Sequence, residues 1–537
     1  MVINGIQKSS EYLKQREELI NHDRALRADH KRDPLSPAET IADQFIRKLR
    51  ATEASTIWSA DYPSIPHPFP GMEFLTGRSI ITKTKIYSIL SKMPKGAILH
   101  SHFDAMGNAA EILGLVLQQP AMHIRCVKPL TVSNIKTVLP EFQCLPQEMY
   151  PSEVTLLTDP SYKNTWISVK LAREMFDPKL GGPEGFDRWV IAAMTIDPSE
   201  AYGTHNTVKK IWQKFGSTFG LYERMLHYVP IFQEYFRRFI LSAIEDGISY
   251  LEIRMNFPYK CLANDGKSLL SDREIFQIFD RVLNDIKAEM KSQGREDEFF
   301  GAKIVITALR MIPVQDLEPR LRNCIALKKE FPHLIAGFDL VGHEDTCHPL
   351  KYYLEPLLKF REMQREARVE IPFLFHAGET FGDGTEADMN LYDATLLGTK
   401  RIGHGFSLIK HPKLLEICKE REIAIEVCPI SNEVLRLTSS MHMHPLPALF
   451  NHGLHIVLSS DDPSIWGSMG LTFDFYQVLV SSELTGIIQL GEVAKDSIKY
   501  SMLTSEEKQT VLTAWQRRWD KFIESVVNEE MTTRSVE

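Results

Sequence analysis

The chain has 537 residues, 43% hydrophobic and 25% charged, an ordinary globular make-up too long for one small core. Its formal charge of −8 leaves no basic surplus to neutralise phosphates, so nucleic-acid binding is not expected. There is no run of about 18 apolar residues, which argues against a membrane-spanning helix.

The first stretch, MVINGIQKSSEYLKQREELI, lacks the apolar centre of a secretory signal, and the chain contains no Asn-x-Ser/Thr acceptor. The seven cysteines form no Cys-x-x-Cys pair, an odd count that suits free thiols in a reducing compartment. The expected location is the cytoplasm. Residues 1–93 read as a helical extension, in which Ile41, Phe45, Ile46 and Leu49 fall near one helical face after Pro37. Trp58–Pro70, rich in proline and aromatics, reads as an extended connector.

Next comes MPKGAILHSHFDA, an apolar run ended by His100 and His102. Residues i and i+2 of a strand share a face, so both imidazoles can address one ion. Two surface histidines at a strand end would look the same. An insertion at about 105–245 follows without a repeating pattern. Its later part carries Trp212, Phe215, Phe219, Tyr222, Tyr228, Phe232, Tyr235, Phe236 and Phe239 at helical spacing. These are expected to be mostly core, in helices lying over the barrel mouth.

Strand-like runs then recur near 249–254, 303–307, 334–340, 373–376, 401–404, 424–428 and 455–460, separated by helical stretches. With 97–102 they make eight, which predicts an α/β fold, a (β/α)8 TIM-type barrel over residues 94–490. An open doubly wound sheet is the alternative, but no glycine-rich phosphate loop follows any strand. Residues 491–537 read as C-terminal helices, with Lys508–Val526 an amphipathic closing helix and a polar tail after about Asn528.

The chemistry lies at the carboxyl ends of these runs, which a barrel gathers on one rim. They carry His100, His102 and Asp104; Gly342; His376 and Glu379; His404; and Asp461 with Asp462. Three histidines and a carboxylate suit a divalent transition metal, zinc first, and the absence of cysteine from these motifs disfavours a closed thiolate site. His123, His205, His227, His411, His442, His444, His452 and His455 have no partner pattern and are given no role.

The segments MPKGAILHSHFDA, GFDLVGHEDT, FHAGET with RIGHGF, and EVCPISNEVL with SSDDP resemble the zinc-dependent adenosine deaminase family, most closely its adenosine deaminase-related growth factor subgroup. The resemblance implies one Zn2+ per chain held by His100, His102, His376 and Asp461. It implies Glu379 as the acid that protonates purine N1. His404 and Asp462 become the pair that orients and deprotonates water and stabilises the alkoxide at C6. Asp104 and Gly342 would hold ribose and ring, and Trp212 would lie at the substrate. A homodimer through the amino-terminal helices is also implied. Subgroup members carry a signal peptide, glycosylation sites and a disulfide-bearing insertion; here only Cys126 and Cys144 occupy that interval. Where relatives place a histidine after the third strand, this chain has Thr307-Ala308-Leu309-Arg310. The expected reaction is hydrolytic deamination of adenosine or 2′-deoxyadenosine. Deamination of a modified nucleoside, adenine or AMP is the alternative, although no Arg/Lys cluster stands beside the motifs to grip a phosphate. A catalytically idle growth-factor-like binding protein is a third reading, opposed by the complete set of ligands and catalytic groups.

Overall fold

The computed structural model describes residues 9–30 and 34–536, so the first eight residues of the expected extension lie outside the described residues. Eight parallel strands occupy the apolar runs: β1 (Gly96–Ile98), β2 (Ile248–Asn256), β3 (Gly301–Leu309), β4 (Ile335–Val341), β5 (His376–Ala377), β6 (Arg401–His404), β7 (Ala424–Val427) and β8 (Ile456–Leu458). They pair as two four-stranded arcs, β1 to β4 and β5 to β8. Single parallel bridges, Phe338 with Phe373 and Ser101 with Asp461, join the arcs. The sheet is therefore a closed (β/α)8 barrel and not an open doubly wound sheet. Strands such as β4 are buried along their whole length, which is why they read as continuous apolar runs without alternation.

Helices cover the barrel for the reason their sequences suggest. In Asp272–Ser292 a capping box between Ser271 and Glu274 starts the helix, and Ile275, Phe279, Val282, Ile286 and Met290 form its buried stripe. The insertion helix Val208–Leu226 lies over the cavity at the carboxyl ends of the strands and buries Phe215 and Tyr222. Val229–Glu245, also expected over the mouth, instead leads into β2 and packs beside that strand and helix Asp272–Ser292, burying Phe232, Tyr235, Phe236 and Phe239. Trp212 and Phe219 stay only half-buried. The insertion also holds an antiparallel sheet with Met122–Arg125 between Glu141–Cys144 and Ile167–Ser168. Its register pairs Met122 with Cys144, so Cys126 lies four residues along the ladder from its would-be partner. At about 3.3 Å per residue that is roughly 13 Å, beyond the ~7 Å that a disulfide spans between Cα atoms. Both thiols are free.

At the opposite end, helix Pro37–Ser55 buries Ala42, Phe45 and Ile46, while Ile41, expected on the same face, is turned outward. The closing helix runs Ser505–Val536, continuing through the stretch expected as a polar tail. Its Trp515 indole donates to the Pro94 carbonyl at 2.9 Å and its Trp519 indole to Glu39 at 3.2 Å, tying it to β1 and to the amino-terminal helix. Residue 490, the expected edge of the barrel, falls inside helix Ile487–Lys499, whose Ser497 hydroxyl accepts from the Ala97 amide of β1 at 2.8 Å.

The barrel interior holds a fully buried charge web. Arg401 donates to Glu426 and to Glu252, each at 2.6 Å, and Arg254 donates to Asp339 at 2.9 Å and to Glu426 at 2.7 Å. Removing one member strands the others in a dry interior. Arg401→Met is expected to lower the unfolding free energy by about 3–5 kcal/mol, read from urea denaturation; an unchanged midpoint and slope would show that the web does not support the fold.

Candidate active site

Beyond the strand ends, His100 and His102 leave β1, His376 opens β5, His404 ends β6, and Asp461 and Asp462 follow β8. The closure bridge between Ser101 and Asp461 runs through this cluster. His100 Nε2 and His102 Nε2 lie 3.3 and 3.2 Å from Asp461 Oδ1, and the His100 and His376 rings are 4.4 Å apart. Ligand atoms of His100, His376, His404 and Asp461 lie within 4.8 Å of one another, and His102, Asp461 and Asp462 form a second such group.

What aims these rings is the shell behind them. His100 Nδ1 bonds Glu426 at 2.8 Å and His376 Nδ1 bonds Asp339 at 2.6 Å, which turns both Nε2 atoms inward. Ser431 donates to Asp461 Oδ2 at 2.8 Å and leaves Oδ1 facing the histidines. His100 Nε2, Asp461 Oδ1 and Asp462 Oδ1 are buried without a hydrogen-bond partner. Burial pushes His376 down to about 3, which keeps it a neutral nitrogen donor. Convergent neutral imidazoles and orphaned carboxylate oxygens fit a divalent cation. The approach of the two rings depends on Gly403, where a Cβ would lie 2.9 Å from His100 Cε1 and 3.1 Å from the His376 Cα. His404 and Asp461 have φ of +59° and +58°, a left-handed conformation that costs about 1–3 kcal/mol per residue and that the packed rim sustains.

Glu379 stands beside this cluster, 3.6 Å from His404 Nε2. Burial first, then Asp461 and Glu344, push its carboxyl well above the usual range. The turn that presents it is held by Glu344, which accepts from the Gly378 and Glu379 amides at 3.3 and 2.9 Å and from Asn390 at 2.6 Å. Arg310, at the third strand end, is packed into the wall: it donates to the Leu340 carbonyl at 3.0 Å, to the His376 carbonyl, and faces Glu344 at 3.5 Å. Thr307, from the same segment, lines the cavity. Asp462 is likewise pushed up, by burial, then Asp461 and Glu379.

These groups close the inner end of a cavity of about 600 Å³ whose walls include Asp104, Trp212, Glu223 and Gly342. Asp104 accepts from the Tyr259 hydroxyl at 3.0 Å, and burial raises it to about 7. Trp212 stacks on His343 at 4.1 Å with the planes 8° apart, joining the insertion helix to the loop after β4. The ten residues singled out from the sequence thus meet at one place, with His100 just behind the cavity wall. Sequence reading missed the supporting residues Arg254, Asp339, Glu426, Arg310, Glu344, Ser431 and Asn432, as well as Glu223 in the cavity wall and Tyr259 behind Asp104. Arg254, Asp339 and Glu426 carry a detectable signal, a charge in the middle of an apolar strand; Glu223 and Tyr259 carry none. His444, given no role above, bonds Asn432, which in turn bonds His404.

The Adenosine deaminase family profile matches residues 193–516. Adenosine deaminase 2 of Homo sapiens is 34% identical over 503 residues, spanning 92% of this chain and 89% of that protein. An adenosine deaminase of Phlebotomus duboscqi is 32% identical, with 92% and 88% covered. Among solved structures, adenine deaminase from Arthrobacter aurescens superposes with a TM-score of 0.52 at 17% identity over 80% of this chain and 99% of that one. A zinc-bound amidohydrolase from Burkholderia ambifaria (TM-score 0.52, 13% identity, 86% and 98% covered) shares the same fold. With the profile match over more than half its length and relatives above 30% identity along nearly all of it, the chain belongs to the adenosine deaminase family.

Proposed function

We propose that the protein hydrolyses adenosine and 2′-deoxyadenosine to inosine and 2′-deoxyinosine with release of ammonia, using one zinc ion per chain. The observation that carries this reading is Glu379, a dry carboxyl pushed up beside His404 at the inner end of a cavity that terminates in the histidine–aspartate cluster. His100, His102, His376 and Asp461 would hold the metal, a nitrogen/oxygen set that suits zinc. Bound zinc supplies Lewis acidity, which brings the pKa of a water from 15.7 to about 7.

The chain's own groups do the rest. Glu379 enters protonated and gives its proton to purine N1, making C6 electrophilic. Asp462 takes the proton of the attacking water, and His404 orients that water. Asp104 and Gly342 hold ribose and ring, with Trp212 as a wall. The acids Asp104 and Glu223 in the cavity support a nucleoside over a nucleotide, since their oxygens offer acceptors to ribose hydroxyls and no donor set for a phosphate. The free cysteines support the cytoplasm as location. Helix Ser9–Arg24 exposes Tyr12, Leu13 and Leu19, which supports a homodimer through the amino-terminal helices.

The test is ammonia release from adenosine, deoxyadenosine, N6-methyladenosine, AMP and adenine, with metal content measured on the same sample. Adenosine and deoxyadenosine are expected to be the best substrates; turnover of AMP alone would overturn the nucleoside reading. Glu379→Gln is expected to cut kcat about 10²–10⁴-fold while keeping its metal. Because Glu379 works as an acid with a raised pKa, the activity it supports is present below that pKa and is lost as pH rises through it; a profile rising toward high pH would contradict its role. Asp339→Asn is expected to weaken metal retention about 10–100-fold in a chelator titration, with the barrel's circular dichroism unchanged; wild-type retention would show that Asp339 does not aim His376.

A further inference from the structure

A chain of three hydrogen bonds leads from the outer edge of the site to His404, and the direction of each can be deduced. The Leu446 backbone N–H, which can only donate, lies 3.0 Å from His444 Nδ1. His444 is buried, which pushes it down to about 3, so it is a neutral ring whose single proton must then be on Nε2. Nε2 lies 3.0 Å from Asn432 Oδ1, and Asn432 Nδ2 lies 3.1 Å from His404 Nδ1. The Asn432 amide hydrogen therefore occupies the Nδ1 lone pair of His404. Flipping the amide would set its NH2 group against the His444 N–H, two donors face to face. Nothing along the chain is free to swing. Asn432 sits in the buried helix Pro429–Val434, and His444 is packed edge-on against Phe406 at 5.5 Å.

We infer that His444, acting through Asn432, is a positioning residue that keeps the proton of His404 on Nε2, making His404 a hydrogen-bond donor in the reaction and excluding it from the metal-ligand set. The Nε2–H faces acceptors, Glu379 Oε1 at 3.6 Å and Asp461 Oδ2 at 3.9 Å. A nitrogen that carries a proton has no lone pair for a cation. Although His404 lies as close to the cluster as the other histidines, His102 completes the set in its place. The same proton stops a neutral His404 from accepting one from water, which leaves that task to Asp462. This inference rests on the deaminase reading for its catalytic consequence but not for the tautomer.

The primary test is therefore made on metal-free protein: a long-range 1H–15N spectrum of histidine-labelled chain, with the His404 signal assigned by its loss in His404→Gln. The expected result is an Nε2–H tautomer for His404; an Nδ1–H tautomer overturns the inference whatever the enzyme's substrate. Asn432→Asp puts an acceptor against Nδ1 and is expected to reverse the tautomer. It should cut kcat by about 10²–10³-fold, the loss of one oriented donor, with KM nearly unchanged. Wild-type kcat in that variant would also overturn the inference. His444→Phe keeps the packing on Phe406 and removes the donor; a fall of about tenfold in kcat is expected, with recovery in His444→Gln, which retains an amide N–H. Equal activity in the two His444 variants would reduce His444 to a packing role.

Discussion

Arg254 lies in the middle of the barrel and holds both carboxylates that aim the histidines. One guanidinium donates to Asp339, the partner of His376, and to Glu426, the partner of His100, and its remaining hydrogens reach the Leu99 and Leu374 carbonyls beside β1 and β5. Burial alone would drive both acids toward neutrality. His376 and Arg254 instead hold Asp339 below the usual carboxylate range, and Arg254 and Arg401 do the same for Glu426. Both oxygens of Asp339 and of Glu426 accept, from the imidazole Nδ1 hydrogens and from other donors. The ionised acids do this without an O–H of their own set against a donor, so the orientation of the two rings depends on the charge balance of the core. The barrel closes and the site is aimed by the same side chains.

Above that floor, three acids share one dry space and are driven apart. Asp461, surrounded by His100, His102 and His404, is held well below the ordinary range, whereas Glu379 and Asp462 are pushed well above it by burial and by Asp461 itself. Neighbouring carboxyls split in this way give one site an ionised and a proton-holding form of the same functional group. The left-handed backbone at His404 and Asp461 belongs to the same arrangement. His404 ends β6 and Asp461 stands three residues past the end of β8, and the packed rim sustains at both a conformation that an isolated chain would avoid.

The mouth of the cavity is organised less by charge than by packing. The Trp212–His343 stack bridges the insertion to the loop after β4, and Tyr259 reaches from beyond β2 to Asp104. The insertion therefore completes the cavity wall, and its own antiparallel sheet is held by pairing and burial while Cys126 and Cys144 stay apart.

The sequence by itself determined the eight strands, their order and the polar residues at their ends. Buried parallel strands must be apolar throughout, and a residue that ends such a run in His or Asp stands out against it. It also showed that His100, His102, His376, Asp461, Glu379, His404 and Asp462 share one rim, because a barrel brings strand ends together however far apart they lie along the chain. It misjudged features that depend on neighbours. Ile41 faces outward because the stripe of its helix is set by what packs against it, and the closing helix continues past Asn528 although its composition there is polar. Only the tertiary structure decided what stands behind each histidine of the cluster. Arg254, Asp339 and Glu426 lie on three different strands, and Asn432 and His444 reach His404 from a separate segment. A hydrogen bond is a property of two positions in space, and nothing in the local pattern of either residue records its partner.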